Sequence, residues 1–221
     1  MSFSAELRIR TTVIWDAAVG HRFVDELWRG TAEPQVLRAY FVQDNQFLDA
    51  FVALMGAAVA AADRPESRIL LARQLGLIAG PENDFFARAM DALDVALADR
   101  VMPPLAEPTR GFLELMDQAR VSADYGTCLA VLLVAEWLYL DWADRPTADT
   151  PRDWIASEWI DLHRGPAFAS WVEFLRAEFD RVAAALDDAA REQVTSFFTR
   201  AVVLELDFFD AAYKGPTGVR P

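Results

Sequence analysis

Residues 129–143 read LAVLLVAEWLYLDWA, and the fold class is visible in this stretch. Seven apolar residues precede Glu136, and the apolar or aromatic sequence WLYL follows it. A helix that carries apolar side chains on almost every side is a buried helix. The apolar run before the glutamate is seven residues long, whereas a membrane-spanning helix needs about 20. We therefore expect this stretch to be the core helix of a soluble protein.

Outward from this stretch, apolar residues recur with the 3.6-residue period of amphipathic helices, and no segment shows sustained β-alternation between turn signals. The pattern predicts helices over residues 35–62, 66–77, 82–101, 123–143, 166–186 and 191–212, with a break near the Ala-Gly-Pro sequence at 79–81. Loops are expected at 102–109 and 144–152. The prediction is one all-α domain over residues 1–213, a bundle of about eight helices, followed by a flexible tail at 214–221.

Composition and charge exclude several classes of function. The chain has 221 residues, and 21 Lys and Arg against 34 Asp and Glu leave a formal charge of −13. Such a field repels phosphate backbones, so we expect no nucleic-acid partner. Charged residues interrupt the apolar run that a signal peptide requires near the N-terminus, and we expect a cytoplasmic protein without membrane contact.

Few residues are available for metal or disulfide chemistry. The single cysteine, Cys128, excludes an internal disulfide and a cysteine-based zinc site within one chain. Neither His21 nor His163 has a glutamate three residues before it, as the paired Glu-x-x-His motifs of di-iron bundles would require. Glycine-rich phosphate loops and nucleophile elbows are also missing from the sequence. We expect neither a metal nor a cofactor.

Three acidic residues lie in apolar stretches of the sequence. A carboxylate buried there must be paired or hydrogen-bonded, or it must take up a proton. Besides Glu136, they are Glu205 in AVVLELDFF and Asp44 in AYFVQDNQFLDAF. Each acid could face solvent or pair with an arginine of a neighbouring helix. Two acids on core helices of one small domain instead suggest a polar cavity. The 7 Trp, 15 Phe and 4 Tyr could line such a cavity for a flat ring, although aromatic residues usually form only a core.

Four phrases of the sequence resemble the TenA/thiaminase II family. They are HRFVDELWRGT at 21–31, LRAYFVQD at 37–44, LLVAEWLYLDWA at 132–143 and LELDFFDAAY at 204–213, in the family's order and spacing. The resemblance implies a haem-oxygenase-like all-α fold without haem and a homo-oligomer, a tetramer or dimer. It also implies an aminohydrolase of thiamin salvage, which releases ammonia from 4-amino-5-aminomethyl-2-methylpyrimidine or acts on the N-formyl derivative.

The resemblance also implies roles for individual residues. Asp44 would hold the aminopyrimidine edge, and Glu205 would serve as acid or base. Many members carry a catalytic cysteine where this chain has Ala135, and Glu136 follows at once, so the chain resembles the glutamate branch of the family. Cys128 cannot replace that cysteine, because seven residues correspond to two helical turns, about 10 Å.

Tyrosines of the cysteine branch correspond here to Phe47, Phe112 and His163, which makes cleavage of thiamin itself doubtful. We expect both phenylalanines to wall the substrate ring. His163 could be a pocket wall or a residue that caps a helix end. Tyr139 lies one turn after Glu136, where its hydroxyl could bind a carboxylate or a water molecule.

The hypothesis is therefore hydrolysis in which Glu136 and Glu205 divide the acid and base roles while Asp44 holds the ring. Three alternatives stay open. The same three acids could hold iron or manganese in an oxidase or oxygenase. They could also bind a pyrimidine without turning it over, or the bundle could be purely structural.

Overall fold

The computed structural model describes residues 1–145 and 149–214. The predicted loop at 144–152 therefore includes three residues, 146–148, outside the described part. The predicted flexible tail begins at Lys214, and its residues 215–221 also lie outside it.

The described residues form twelve α-helices and one π-helical turn, and no strand. The elements are α1 (Phe3–Arg10), α2 (Thr12–Val19), α3 (Arg22–Arg29), α4 (Pro34–Ala61), α5 (Pro65–Leu77), the π turn (Ile78–Glu82), α6 (Asn83–Ala92), α7 (Leu97–Val101), α8 (Glu107–Ser122), α9 (Tyr125–Ala143), α10 (Trp154–Leu162), α11 (Gly165–Ala183) and α12 (Asp188–Ala211). The all-α prediction is confirmed. The number of helices exceeds the predicted eight mainly because it includes the short helices α1, α2, α3 and α7.

Local sequence explains where several helices begin. Asp124, Asp153 and Asp187 precede α9, α10 and α12, and each carboxylate accepts a hydrogen bond from the backbone N–H three residues later. Such N-caps satisfy donors that the first helical turn leaves free. Pro34 and Pro65 open α4 and α5, where a missing N–H costs no hydrogen bond.

Helix α9 is the centre of the bundle, and α4, α8, α11 and α12 pack around it. By length and composition α9 could cross a membrane, but 89% of its most apolar window is buried inside the fold. It therefore has the position that its continuous apolar sequence predicts for a core helix. Neighbouring helices contribute acidic and aromatic residues that lie near the middle of α9.

Two helix boundaries differ from the prediction. The predicted helix over 82–101 is divided into α6 and α7, because the backbone turns at Asp94, whose φ of 51° is incompatible with a right-handed helix. At 79–81 the chain does not break; the π turn connects α5 to α6 directly. Proline cannot donate the usual i→i−4 hydrogen bond, and one wider turn accommodates this defect without ending the helical path.

Candidate active site

A cavity of about 290 Å³ opens beside the middle of α9. Helix α4, the α5–π turn–α6 segment, α10 and α11 form its other walls. Most wall side chains are apolar or aromatic, and the acidic ones are Asp44, Glu82, Glu136 and Asp161. This mixture of an apolar surface with a few polar groups is typical of a small-molecule site.

Five of the seven residues proposed from the sequence line this cavity: Asp44, Phe47, Glu136, Tyr139 and His163. The other two lie outside the set of wall residues. Phe112 packs edge-on against Phe47 with ring centroids 5.0 Å apart, so it supports the wall from behind. Glu205 is buried on α12, and its carboxyl lies near enough to Asp44 for the two charges to interact. Phe112 is therefore not among the wall residues of this cavity, and its contact with a substrate stays a prediction.

The Asp44 carboxyl is a buried polar group of the wall with an unpartnered oxygen. The residue is 4% exposed, and Oδ2 has no hydrogen-bond partner among the described residues. Burial raises the pKa of Asp44 well above its usual range, the charge of Glu82 raises it further, and a hydrogen bond from Tyr40 opposes the rise. The raised pKa favours the protonated form of Asp44, which has one donor and one acceptor to offer to a ligand.

Glu136 faces the cavity from α9. Burial raises its pKa to about 8, and the charge of Glu82 adds to the rise. The indole N–H of Trp171 opposes it, although that group forms no hydrogen bond of normal geometry within the described structure. Glu136 can therefore change its charge close to physiological pH, which is what a general acid or base requires.

Glu205 is more deeply enclosed, at 2% exposure, and its Oε1 has no hydrogen-bond partner in the described part of the chain. Burial, followed by the charge of Asp44, raises the pKa of Glu205 well above its usual range. Each glutamate thus has an acidic neighbour, Glu82 for Glu136 and Asp44 for Glu205, and burial is the main cause that raises the pKa of both.

Tyr139 lines the cavity and has the Tyr40 hydroxyl as a hydrogen-bond partner; a bond to a carboxylate or a water molecule stays a prediction. Its hydroxyl lies 2.5 Å from that of Tyr40, and both side chains are buried. Burial is the main cause that raises the pKa of each phenol well above 10, and the charges of Asp44 and Glu205 add to it. The tyrosine pair therefore forms a neutral, hydrogen-bonded wall beside these two acids.

His163 combines the two roles considered from the sequence. It caps the C-terminal end of α10 and also lines the cavity. Its Nδ1 lies 2.8 Å from the carbonyl oxygen of Trp159, and a carbonyl only accepts, so Nδ1 carries the hydrogen and Nε2 a lone pair. Burial lowers the pKa of His163 to about 4, and the ring is neutral at physiological pH. His163 thus offers an acceptor, not a charge.

Comparison with known proteins places this geometry in a family. The family model described as TENA/THI-4/PQQC matches residues 8–215. The chain belongs to this family. The resemblance that the four sequence phrases indicated is confirmed.

Relatives in the TENA/THI-4/PQQC family match over nearly the whole chain. The aminopyrimidine aminohydrolase of Bacillus subtilis is 22% identical over 97% of this chain and 91% of its own length. That of Halalkalibacterium halodurans is 21% identical, over 96% of both chains. The crystal structure of a TenA homologue from Pyrococcus furiosus has a TM-score of 0.85 at 18% identity, covering 96% of this chain and all of that one. The similarity to that structure supports the fold.

The single cysteine of this chain lies away from the cavity wall. Ala135 lines the cavity at the position where the resemblance led us to look for a cysteine. Cys128 is fully buried, is absent from the cavity wall and lies 3.5 Å from the carbonyl oxygen of Ala119. Burial raises the pKa of its thiol to about 12, so the reactive thiolate is scarce.

Metal binding by three carboxylates is not favoured by the geometry. No group of three His, Cys, Asp or Glu side chains within residues 1–145 and 149–214 is arranged to hold a metal ion. Asp44, Glu136 and Glu205 influence the cavity from three helices, but they do not form a common ligand set.

Sequence reasoning missed several wall residues, above all Glu82 and Trp171. Glu82 follows the Gly-Pro sequence at 80–81, which resembled an ordinary break between helices. Trp171 is one of seven tryptophans, and its position in α11 carries no polar signal. One signal in the sequence could have indicated Glu82: it is an acid directly after a Gly-Pro sequence inside an otherwise helical pattern.

Proposed function

We propose that this protein is an aminopyrimidine aminohydrolase of thiamin salvage, which acts without a nucleophilic cysteine. It would hydrolyse 4-amino-5-aminomethyl-2-methylpyrimidine, or the N-formyl derivative, to the hydroxymethylpyrimidine. The observation that carries the proposal is the presence of two buried carboxyls, Asp44 and Glu136, in the wall of one aromatic cavity. Two relatives that match this chain over more than 90% of their own length are named aminopyrimidine aminohydrolase.

The cavity suits a single aromatic ring. Its volume of about 290 Å³ is at the lower end of the range of roughly 300–1,000 Å³ seen for ligand pockets. Phe47, Trp159, Phe168 and Trp171 offer aromatic surface, and contacts with a flat ring contribute about 0.5–1.5 kcal/mol each beyond the buried area. A ring of this size can therefore be held on its faces while its edge meets the polar groups.

Asp44 is the residue that we assign to the ring edge. In its protonated form, one oxygen donates to a ring nitrogen while the other accepts from the neighbouring 4-amino group. As the leaving group departs, the ring releases electrons and the amino N–H becomes more acidic. Its hydrogen bond to Asp44 then strengthens, and an interaction that is stronger in the transition state accelerates the reaction.

Glu136 is the base in this scheme. The bond between the methylene carbon and the amine nitrogen breaks with its electron pair remaining on nitrogen, and a water oxygen bonds to the methylene carbon. The water loses a proton to the Glu136 carboxylate. The products are the hydroxymethylpyrimidine and ammonia. A positioned base contributes typically 10²–10⁴-fold to such a step.

Glu205 is the acid. Burial holds the pKa of its carboxyl well above the usual range, which favours the protonated form, and it would supply that proton to a leaving nitrogen that arrives uncharged. Because Glu205 is not among the wall residues, donation requires its side chain to turn towards the bound substrate. Catalytic hydrogen bonds often tighten in this way only in the complex.

The base assignment predicts a pH dependence. An acid with a raised pKa is ionised only above that pKa, so kcat/KM is expected to fall as the pH drops below about 8. Glu82→Gln removes the neighbouring charge that adds to the rise and should move this limb to lower pH. Rate measurements across the pH range on both proteins test the assignment. An unchanged midpoint in the variant would assign the limb to another group.

The function is tested by incubating the purified protein with 4-amino-5-aminomethyl-2-methylpyrimidine, its N-formyl derivative and thiamin. We expect ammonia and a hydroxymethylpyrimidine, identified by mass, from the first compound. Binding that stabilises the fold without product would instead indicate a pyrimidine-binding protein. Turnover that depends on added iron or manganese would support the oxidase or oxygenase alternative.

A further inference from the structure

Glu82 is a cavity acid for which neither the sequence phrases nor the proposed reaction has a role. It belongs to the π turn, and its side chain lines the cavity together with that of Ile78, four residues earlier. A π turn inserts one extra residue into the helical path and is frequently found at functional sites. Here it places a partly buried carboxyl among the apolar wall residues.

Glu82 lines the same cavity as the two acids already described. Its charge raises the pKa of Asp44 on α4 and also that of Glu136 on α9. Burial raises its own pKa to about 7. Three carboxyls from separate helices thus share one small cavity, and ionisation of any one raises the cost of ionising its neighbours.

The cavity wall offers these acids no free cation. Arg164 is the one lysine or arginine among the wall residues in the described part of the chain. Its guanidinium bonds to the Asp161 carboxylate, with the closest atoms 2.5 Å apart, and to the Thr150 hydroxyl at 3.1 Å. Asp44 Oδ2 meanwhile lacks a hydrogen-bond partner among the described residues, so this polar wall is incomplete without a ligand. A ligand that brings a positive charge would compensate the acids.

We infer that Glu82 is a substrate-binding residue that accepts hydrogen bonds from the protonated aminomethyl group, and that it makes the free amine a better substrate than the N-formyl derivative. This inference rests on the proposed function. With the 4-amino edge on Asp44, the aminomethyl substituent occupies the adjacent ring position, and we expect it to face Glu82, which lines the same cavity. A protonated amine also brings the proton with which it leaves as ammonia, so it consumes none from Glu205.

The N-formyl derivative would meet the same cavity without a charge. Its amide nitrogen is neutral and has one N–H, so the Glu82 carboxylate would lose hydration without gaining an ionic partner. Specificity of this kind comes from a group that the wrong substrate leaves unpaired.

The test is the ratio of kcat/KM for the free amine to that for the N-formyl derivative, near pH 8. Glu82→Gln keeps the shape and removes the charge, and should lower the value for the free amine about 10- to 100-fold, largely through KM. The value for the N-formyl derivative should change much less, so the ratio collapses. Asp84→Asn is the matched control, because Asp84 is exposed, lies outside the cavity wall and carries the same charge.

A preserved ratio in Glu82→Gln, or an equal loss for both substrates, would overturn the inference. Binding measurements keep it testable even without turnover. Calorimetry should show weaker binding of the amine to Glu82→Gln and unchanged binding of the uncharged hydroxymethylpyrimidine. If wild type turns over neither compound but binds the amine through Glu82, the proposed function fails and the charge recognition stands. Equal amine binding by both proteins would overturn the recognition itself.

Discussion

Glu136→Gln is expected to lower kcat about 10²–10⁴-fold on 4-amino-5-aminomethyl-2-methylpyrimidine. Glutamine fills the same space on α9, but it cannot take the proton that the attacking water loses. Steady-state rates on the purified variant measure the effect. Glu173→Gln on α11 is the control, since Glu173 is exposed two residues from the cavity residue Trp171. Near-normal turnover by Glu136→Gln would remove Glu136 from the role of base.

The same substitution should stabilise the folded protein at alkaline pH. Glu136 has a folded pKa of about 8 against 4.5 when unfolded, so the unfolded chain loses this proton first as the pH rises. The free energy of unfolding of the wild type therefore decreases between about pH 4.5 and 8. Glutamine has no proton to lose, and the variant should gain on the order of a few kcal/mol at pH 8.

Denaturant unfolding at two pH values tests this expectation. The difference between wild type and Glu136→Gln should be small near pH 4.5, where both side chains are neutral, and larger near pH 8. An equal difference at both pH values would mean that packing, and not ionisation, separates the two proteins. Loss of activity together with a gain in stability is the usual sign of a functional group in a strained setting.

Asp44→Ala is the second substitution with a large expected effect, a decrease in kcat/KM of about 10²–10⁴-fold. Alanine leaves the amino and ring-nitrogen edge of the substrate without partners inside a dry cavity, and sites built on hydrogen bonds discriminate by such factors. Asp49→Ala is the matched control, because Asp49 is exposed on the same helix.

Asp44→Asn separates binding from charge. An asparagine amide, like a protonated carboxyl, presents one acceptor and a donor, so it should recover part of the binding lost in Asp44→Ala. Kinetics of the three proteins test this order. If Asp44→Asn is as impaired as Asp44→Ala, the ionised carboxylate is needed; if Asp44→Ala retains full kcat/KM, Asp44 does not hold the ring.

The sequence alone was sufficient for the fold class and for part of the site. The apolar stretch around Glu136 predicted a core helix, and α9 is that helix. Helical periodicity also placed Asp44 and Phe47 one turn apart on one helix, and both line the cavity. These predictions succeeded because periodicity and burial depend on residues near each other in the chain.

Helix boundaries and the hydrogen-bond partners of side chains were harder to predict from the sequence. The helix predicted over 82–101 is two helices, and the break expected at 79–81 is a π turn. The hydroxyl of Tyr139 also forms a hydrogen bond with that of Tyr40, 99 residues away, which no local pattern indicated. Such partners depend on how helices distant in sequence pack against each other, which a local pattern does not specify.

The sequence by itself therefore determined a helical bundle whose core helices carry acidic residues, and burying such residues in ionised form costs free energy. Only the tertiary structure decided which acids share a cavity: Glu82 lines it together with Asp44 and Glu136, whereas Glu205 and Phe112 are not among its wall residues. The physical reason is that apolar periodicity determines which face of a helix is buried. The neighbours that shift the pKa of a buried acid come from other segments, and their distances are set when the bundle packs.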